Sequence, residues 1–73
     1  MSTTDRDLPV RMRERADAEQ LPADHDLRQR ADALDLAVVG HFASPPTVSV
    51  AQLVGAWARA RTAWCAHTGE ALL

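Results

Sequence analysis

The stretch from Val50 to Thr68 constrains the fold of this 73-residue chain more than any other. It contains both tryptophans and the only cysteine, and its apolar residues recur at the spacing of one helix face. These positions are Val50, Leu53, Val54, Trp57, Ala60, Trp64 and Thr68. Ser49 and Gln52 have the spacing of a capping box, and Gly69 is a typical C-cap residue. The sequence therefore predicts a helix over residues 50–68.

A second helical pattern runs from Leu27 to Ala43. Its apolar face is formed by Leu27, Ala31, Leu34, Val38 and Phe42. We expect Asp24 or Asp26 to cap this helix, because Asp26 and Gln29 repeat the capping-box spacing. The proline-rich segment 43–48 is short, and short connections join antiparallel neighbours. The chain is therefore predicted to be all-α, with an antiparallel helical hairpin formed by 27–43 and 50–68.

The N-terminal segment has a weaker pattern. Asp7 is predicted to cap a helix that begins near Leu8, with Pro9 in its first turn. The face formed by Leu8, Met12 and Ala16 is thin, so the segment is either a short helix or an arm that orders on contact. Pro22 marks a break. We therefore predict a polar arm or short helix over residues 1–25 and a hairpin domain over residues 26–73.

Composition narrows the possible partners. Ten acidic residues against eight arginines give a net charge of -2 and no positive stripe, which disfavours nucleic acid. No apolar run is long enough to span a membrane, and the polar start of the chain does not resemble a secretory signal. We therefore expect a cytoplasmic protein with no membrane association. A single cysteine excludes an internal disulfide.

Motifs for catalysis or metal binding are missing from the sequence. It has no GxSxG, no HExxH and no glycine-rich phosphate loop. Cys65 and His67 are two positions apart on the predicted helix and point in different directions, while His25 and His41 belong to other segments. We therefore predict no enzyme activity, no catalytic residues, no metal site and no cofactor.

The segment from Leu27 to Phe42 resembles the first helix of helical chorismate mutases. A leucine-arginine pair, Leu27 and Arg28, precedes an Asp-x-Leu-Asp sequence there. The resemblance implies that Arg28 binds substrate and that the chain is a degenerate relative of that family. It covers 16 residues, and the basic residues that the family places soon afterwards are absent, since residues 43–58 carry no charge.

A chain of this length buries only about 60% of its unfolded surface, so its core is marginal. The second half of the helix over 27–43 is apolar on more than one side, because Leu36 and Val39 point away from its main face. We therefore predict a small protein-protein interaction module that forms a homo-oligomer or is an accessory subunit of a larger complex. The predicted interface residues are Leu34, Val38, Phe42, Leu53, Trp57, Arg61 and Trp64. An alternative is a precursor peptide whose C-terminal end, residues 62–73, is modified by other enzymes.

Overall fold

A computed structural model describes residues 4–70, and over this range the chain is all-helical. Helix α1 spans Thr4–Ala18, α2 spans Asp26–His41 and α3 spans Val50–Thr68. The radius of gyration is 12.3 Å, close to the value of about 11 Å expected for a compact chain of this length. None of the helices within residues 4–70 has the length and apolar character needed to cross a lipid bilayer.

Helix α3 has the predicted bounds, and both of its caps are confirmed. The Ser49 hydroxyl accepts a hydrogen bond from the Gln52 N–H at 3.1 Å, and the Gln52 side chain accepts one from the Ser49 N–H at 2.8 Å. Gly69 adopts a left-handed conformation with φ of 76° and donates its N–H to the Cys65 carbonyl. Local chemistry thus sets both ends of this helix.

Helix α2 is capped differently from the prediction. The ring of His25 accepts the hydrogen bond from the Leu27 N–H at 3.1 Å, so His25 is the N-cap residue, and Asp24 and Asp26 are not. Asp26 is already the first helical residue, and its carboxylate pairs with Arg30 one turn later. The predicted capping box between Asp26 and Gln29 is therefore wrong.

Helix α1 begins earlier than predicted. It starts at Thr4, so Asp7 lies inside the helix instead of capping it, and Pro9 falls in the second turn. The side chains of Leu8, Met12 and Ala16 are fully buried, which means that the thin apolar face is sufficient to dock the helix. The division into a segment 1–25 and a domain 26–73 stays a prediction.

Small residues occupy much of the contact between the helices. The core consists of Leu8, Met12, Ala16, Leu27, Ala31, Leu34, Ala37, Ala56, Ala60 and Trp64. Ala37 and Gly40 of α2 are buried, whereas the larger Val38 and Phe42 of the predicted face are exposed. Helices approach each other closely where the contacting side chains are small. The fold therefore leaves several large apolar side chains at the margin of the core.

The side-chain contacts between α1 and α3 lie toward the C-terminal end of α3. The Arg11 guanidinium lies over the Trp64 ring, 5.1 Å from its centroid, and also pairs with Glu70. The His67 ring contacts the Glu19 carboxylate at 2.9 Å. These contacts attach α1 to the second half of α3.

Candidate protein-binding groove

A groove of about 710 Å³ lies between Pro9 of α1 and the other two helices. Its lining comes from all three helices and comprises Pro9, Leu34, Asp35, Val38, Phe42, Leu53, Val54 and Trp57. Only Asp35 in this set carries a charge. Because pockets of this size lined mainly by apolar groups are typical of binding sites, the groove is the strongest candidate for a functional surface.

Large apolar side chains project around the groove. Phe42 is 76% exposed, Val54 57% and Val38 38%. Phe42 follows α2 as its C-cap residue, and its ring meets the His41 ring edge-on, with 4.9 Å between centroids. An aromatic side chain with a single neighbouring ring and this much exposure offers a large nonpolar area to another molecule.

Trp57 forms one wall of the groove and is half-buried. The Arg61 guanidinium lies 4.9 Å from the centroid of its ring, a cation–π geometry that covers one face of the indole. The Trp57 Nε1–H is buried and has no acceptor among residues 4–70. Arg61 thus holds the ring in place, and the indole contributes its apolar surface to the groove.

The groove is almost neutral. Its one acid, Asp35, is bound by Arg13, which also donates to Asp32 at 2.6 Å. The hydrogen bond to Asp32, followed by the one to Asp35, raises the pKa of the Arg13 guanidinium above its usual range. The lining residues that α3 contributes are Leu53, Val54 and Trp57, and none of them carries a charge. Nonpolar contact is therefore the interaction that the groove offers.

The structure distributes the predicted interface residues over two environments. Val38, Phe42, Leu53 and Trp57 line the groove, and Arg61 covers Trp57. Leu34 and Trp64 are 1% and 4% exposed and belong to the core, although Leu34 also reaches the floor of the groove. Trp64 therefore belongs to the core and does not present its surface to a partner.

Sequence reasoning missed three residues of the lining, which are Pro9, Asp35 and Val54. Pro9 enters the groove only because α1 docks along α2, and the sequence left that docking open. Val54 belonged to the apolar face predicted for α3, but it was not among the predicted interface residues. Its exposure follows from the burial of Ala56 and Ala60, which turns the contact face of α3 toward the small residues.

A second, shallower concavity of about 440 Å³ lies elsewhere along α2 and α3. It is lined by Asp26, Arg30, Gly55, Ala58, Arg59, Thr62, Ala63 and Ala66. Apart from two arginines and an aspartate, its residues are small or polar. It lacks the projecting apolar side chains of the groove and offers little surface for nonpolar binding.

Two of the histidines, His25 and His67, meet at one place, whereas His41 lies elsewhere. His67 pairs with Glu19 and meets the His25 ring edge-on, while the His41 ring contacts the Val48 carbonyl at 3.1 Å. Within residues 4–70 no three histidine, cysteine or acidic side chains are arranged to hold a metal ion. Hydrogen bonds from Arg15, and then from His67, lower the pKa of the Glu19 carboxyl.

Arg28, the residue that the chorismate mutase resemblance makes a substrate ligand, is engaged inside the chain. Its guanidinium donates to the Asp17 carboxylate at 2.8 Å and to the Leu21 carbonyl at 3.1 Å. These bonds tie the start of α2 to the end of α1 and to the loop between them. The observed role of Arg28 is therefore to connect α1 and α2.

Comparison with known proteins does not suggest a function for the groove. No family model, no curated protein and no solved structure matches the chain. The function must therefore be inferred from the groove itself.

Proposed function

We propose that this protein is a small protein-protein interaction module that binds an apolar surface through the groove between α1 and the first half of α3. In this proposal α2 and α3 act as an antiparallel helical hairpin that presents the groove. The observation that carries the proposal is that the large apolar side chains of Phe42, Val38 and Val54 face solvent at the groove. The smaller Ala37, Ala56 and Ala60 are buried instead.

The energetic reason is the nonpolar area that these side chains expose. Each Å² of apolar surface removed from water contributes about 25 cal/mol, so covering a phenylalanine and two valines favours association by several kcal/mol before its costs. Contiguous apolar patches of a few hundred Å² on small proteins often mark interaction sites. Phe42 and Trp57 are of the aromatic type that anchors such interfaces.

The surface chemistry fits protein binding better than small-molecule chemistry. Apart from Asp35, already held by Arg13, the lining offers no charged group to orient a polar substrate. The alternative of a precursor peptide modified within residues 62–73 gains no support, because Trp64 is buried and Thr68 donates its hydroxyl to the Trp64 carbonyl. Access of a modifying enzyme to the Trp64 side chain would require the last turns of α3 to open.

Substitutions on and off the groove test the proposal. Phe42→Asp and Val54→Asp place a charge where a nonpolar partner would sit. We expect each substitution to abolish the binding of the proteins that co-purify with the tagged chain from its native cells. Leu36→Asp and Val39→Asp are matched controls, because these residues are 71% and 68% exposed but do not line the groove. Controls are expected to retain those proteins.

All four variants change exposed positions, so their circular dichroism spectra should match that of the parent protein. Retention of every bound protein by both groove variants, with loss only in the controls, would place the binding surface elsewhere and refute the proposal.

A further inference from the structure

We infer that His25 is a proton-sensitive cap of α2. Protonation of its ring removes the hydrogen bond that begins the helix and loosens the corner formed by Glu19, His25 and His67, where the three helices meet. None of these three residues lines the groove, so the inference does not depend on the proposed function.

The hydrogen bond that caps α2 requires a neutral His25 ring. Its Nδ1 atom accepts from the Leu27 N–H at 3.1 Å, and a ring nitrogen accepts a hydrogen bond only while it carries no proton. Histidine is the side chain that ordinarily changes its charge between about pH 5 and 8. A proton on Nδ1 turns the acceptor into a donor that faces another donor, and the cap is lost.

The other two histidines keep their hydrogen bonds when they are protonated. The His41 Nδ1 atom lies 3.1 Å from the Val48 carbonyl oxygen, and the His67 Nε2 atom lies 2.9 Å from the Glu19 carboxylate. Carbonyl and carboxylate oxygens only accept hydrogen bonds, so both ring nitrogens are donors. Of the three histidines, all within residues 4–70, His25 is therefore the one whose observed hydrogen bond is lost in acid.

Two further features of the folded chain oppose a charge on His25. The ring lies at the N-terminus of α2, where the helix dipole is positive. It also meets the His67 ring edge-on, with 5.8 Å between centroids, so two protonated rings repel each other. A protonated His25 is thus unfavourable in the fold for reasons beyond the lost hydrogen bond.

Charged groups on the neighbouring elements also act on the two rings. They are Arg15 of α1, Glu19 after it, Asp24 of the following loop, and Asp26 and Arg30 of α2. Asp24 and Asp26 attract a proton to His25, but as its neighbours in sequence they do so in the unfolded chain as well. Glu19 is already bound by Arg15 and His67. The difference between the folded and the unfolded chain therefore comes from the cap, the helix terminus and the His67 ring.

Loss of the cap affects the attachment of α1 to α2. The first turn of α2 carries Arg28, whose guanidinium donates to the Leu21 carbonyl and to the Asp17 carboxylate. The His25 N–H also donates to the Pro22 carbonyl at 3.0 Å, so the loop between the helices is anchored at the same place. The stability that the cap contributes is present at about pH 8 and is lost as the pH falls toward about 5.

Thermal unfolding of the full chain between about pH 8 and pH 5 tests this inference. His25→Asn keeps a side-chain acceptor at the cap but cannot take up a proton. Across this range the melting temperature of the parent should fall by about 4–8 °C relative to that of His25→Asn, which is the effect of losing one helix cap in a chain of this size. A difference that does not change with pH would overturn the inference.

His41→Asn is the matched control, because the His41 ring donates its hydrogen bond and keeps it when protonated. The parent should therefore not lose stability relative to His41→Asn as the pH falls. An equal loss relative to both variants would mean that the cap is not the proton-sensitive group.

Nitrogen NMR of the isotope-labelled parent tests the hydrogen bond directly. At about pH 8 the His25 ring is expected to carry its hydrogen on Nε2 and to show scalar coupling across the bond between Nδ1 and the Leu27 amide nitrogen. This coupling should disappear as the ring takes up its second proton. A hydrogen on Nδ1 of the neutral ring, or a coupling that persists in acid, would contradict the inference.

Discussion

Gly40 shows how tightly the loop before α3 packs on α2. A Cβ atom at this position would lie 2.5 Å from Val48 Cγ2 and 2.8 Å from the Thr47 hydroxyl oxygen. The Thr47 N–H donates to the Gly40 carbonyl at 2.9 Å, so the loop backbone is fixed at this approach. The absence of a side chain at Gly40 therefore allows residues 47 and 48 to pack against the end of α2.

Substituting Gly40 tests this contact. Gly40→Ala should lower the free energy of unfolding by about 1–2 kcal/mol, because overpacking outweighs the gain in helix propensity. Gly55→Ala is the matched control: its Cβ would meet only the Arg59 guanidinium at 3.5 Å, so it should be neutral or stabilising by up to about 1 kcal/mol. Urea denaturation of both variants gives the comparison, and equal stabilities would refute the close approach.

Single residues also show where sequence reasoning fails. The roles of Ser49, Gln52 and Gly69 are local, since each acts within one turn of its own helix, and the sequence predicted all three. The cap of α2 was predicted on the wrong residue, because both an aspartate and a histidine can accept the first N–H and only the observed backbone makes His25 the cap. Similar competing acceptors cannot be ranked from sequence spacing.

At the scale of the helices, α1 is the element whose docking the sequence left open. Its buried face consists of Leu8, Met12 and Ala16, and its exposed side carries Val10. Ion pairs reinforce this docking, since Arg13 binds Asp32 and Asp35 on α2, and Asp17 binds Arg28. Because these partners are distant along the chain, their pairing could not be deduced from the pattern of α1 alone.

Truncating one buried side chain measures how firmly α1 is docked. Met12→Ala should reduce the free energy of unfolding by about 2–5 kcal/mol, the usual range for a fully buried methionine. Val10→Ala removes a side chain that is 53% exposed on the same helix and should cost less than about 1 kcal/mol. Thermal and urea unfolding provide the values. Equal, small effects would mean that α1 contributes little to the fold.

The interhelical contact explains why the interface prediction is spread over the groove and the core. The sequence placed Val38, Phe42 and Val54 on the main apolar faces of α2 and α3. The fold exposes these three side chains and buries Ala37 and Ala56, which were not on those faces. The periodicity of a sequence predicts which side of a helix is apolar, with an error of about one residue. Packing against the neighbouring helix then determines which side chains of that side are buried. Trp64 is buried and Trp57 is half-buried for this reason.

For the whole molecule, Glu19 connects the end of α1 with the end of α3 and makes stability depend on pH. Its pKa lies below the ordinary value of 4.5, because Arg15, and then His67, bind the charged form. Because the pKa of Glu19 is lower in the folded chain than in the unfolded chain, its ionised carboxylate stabilises the fold at pH values above the ordinary pKa. This contribution is lost as the pH falls through the pKa of the folded chain.

Glu19→Gln is therefore expected to lower the melting temperature near pH 6 and to change it little near pH 3, so the two melting curves converge as the pH is reduced. The effect should be small, because the pair is exposed to solvent. Glu14→Gln, an exposed acid on the same helix, serves as the control for the loss of one negative charge. A Glu19→Gln difference that is constant from pH 3 to pH 6 would contradict this assignment.

The uncharged stretch 43–58 divides the molecule into two regions with opposite responses to ionic strength. The pairs that join α1 to the other helices involve Arg11, Arg13, Arg28 and Glu19, and dissolved ions screen such exposed contacts. The groove depends on nonpolar contact, which excluded salts such as sulfate strengthen. A concentrated electrolyte of that kind therefore loosens the attachment of α1 while it favours whatever closes over Phe42.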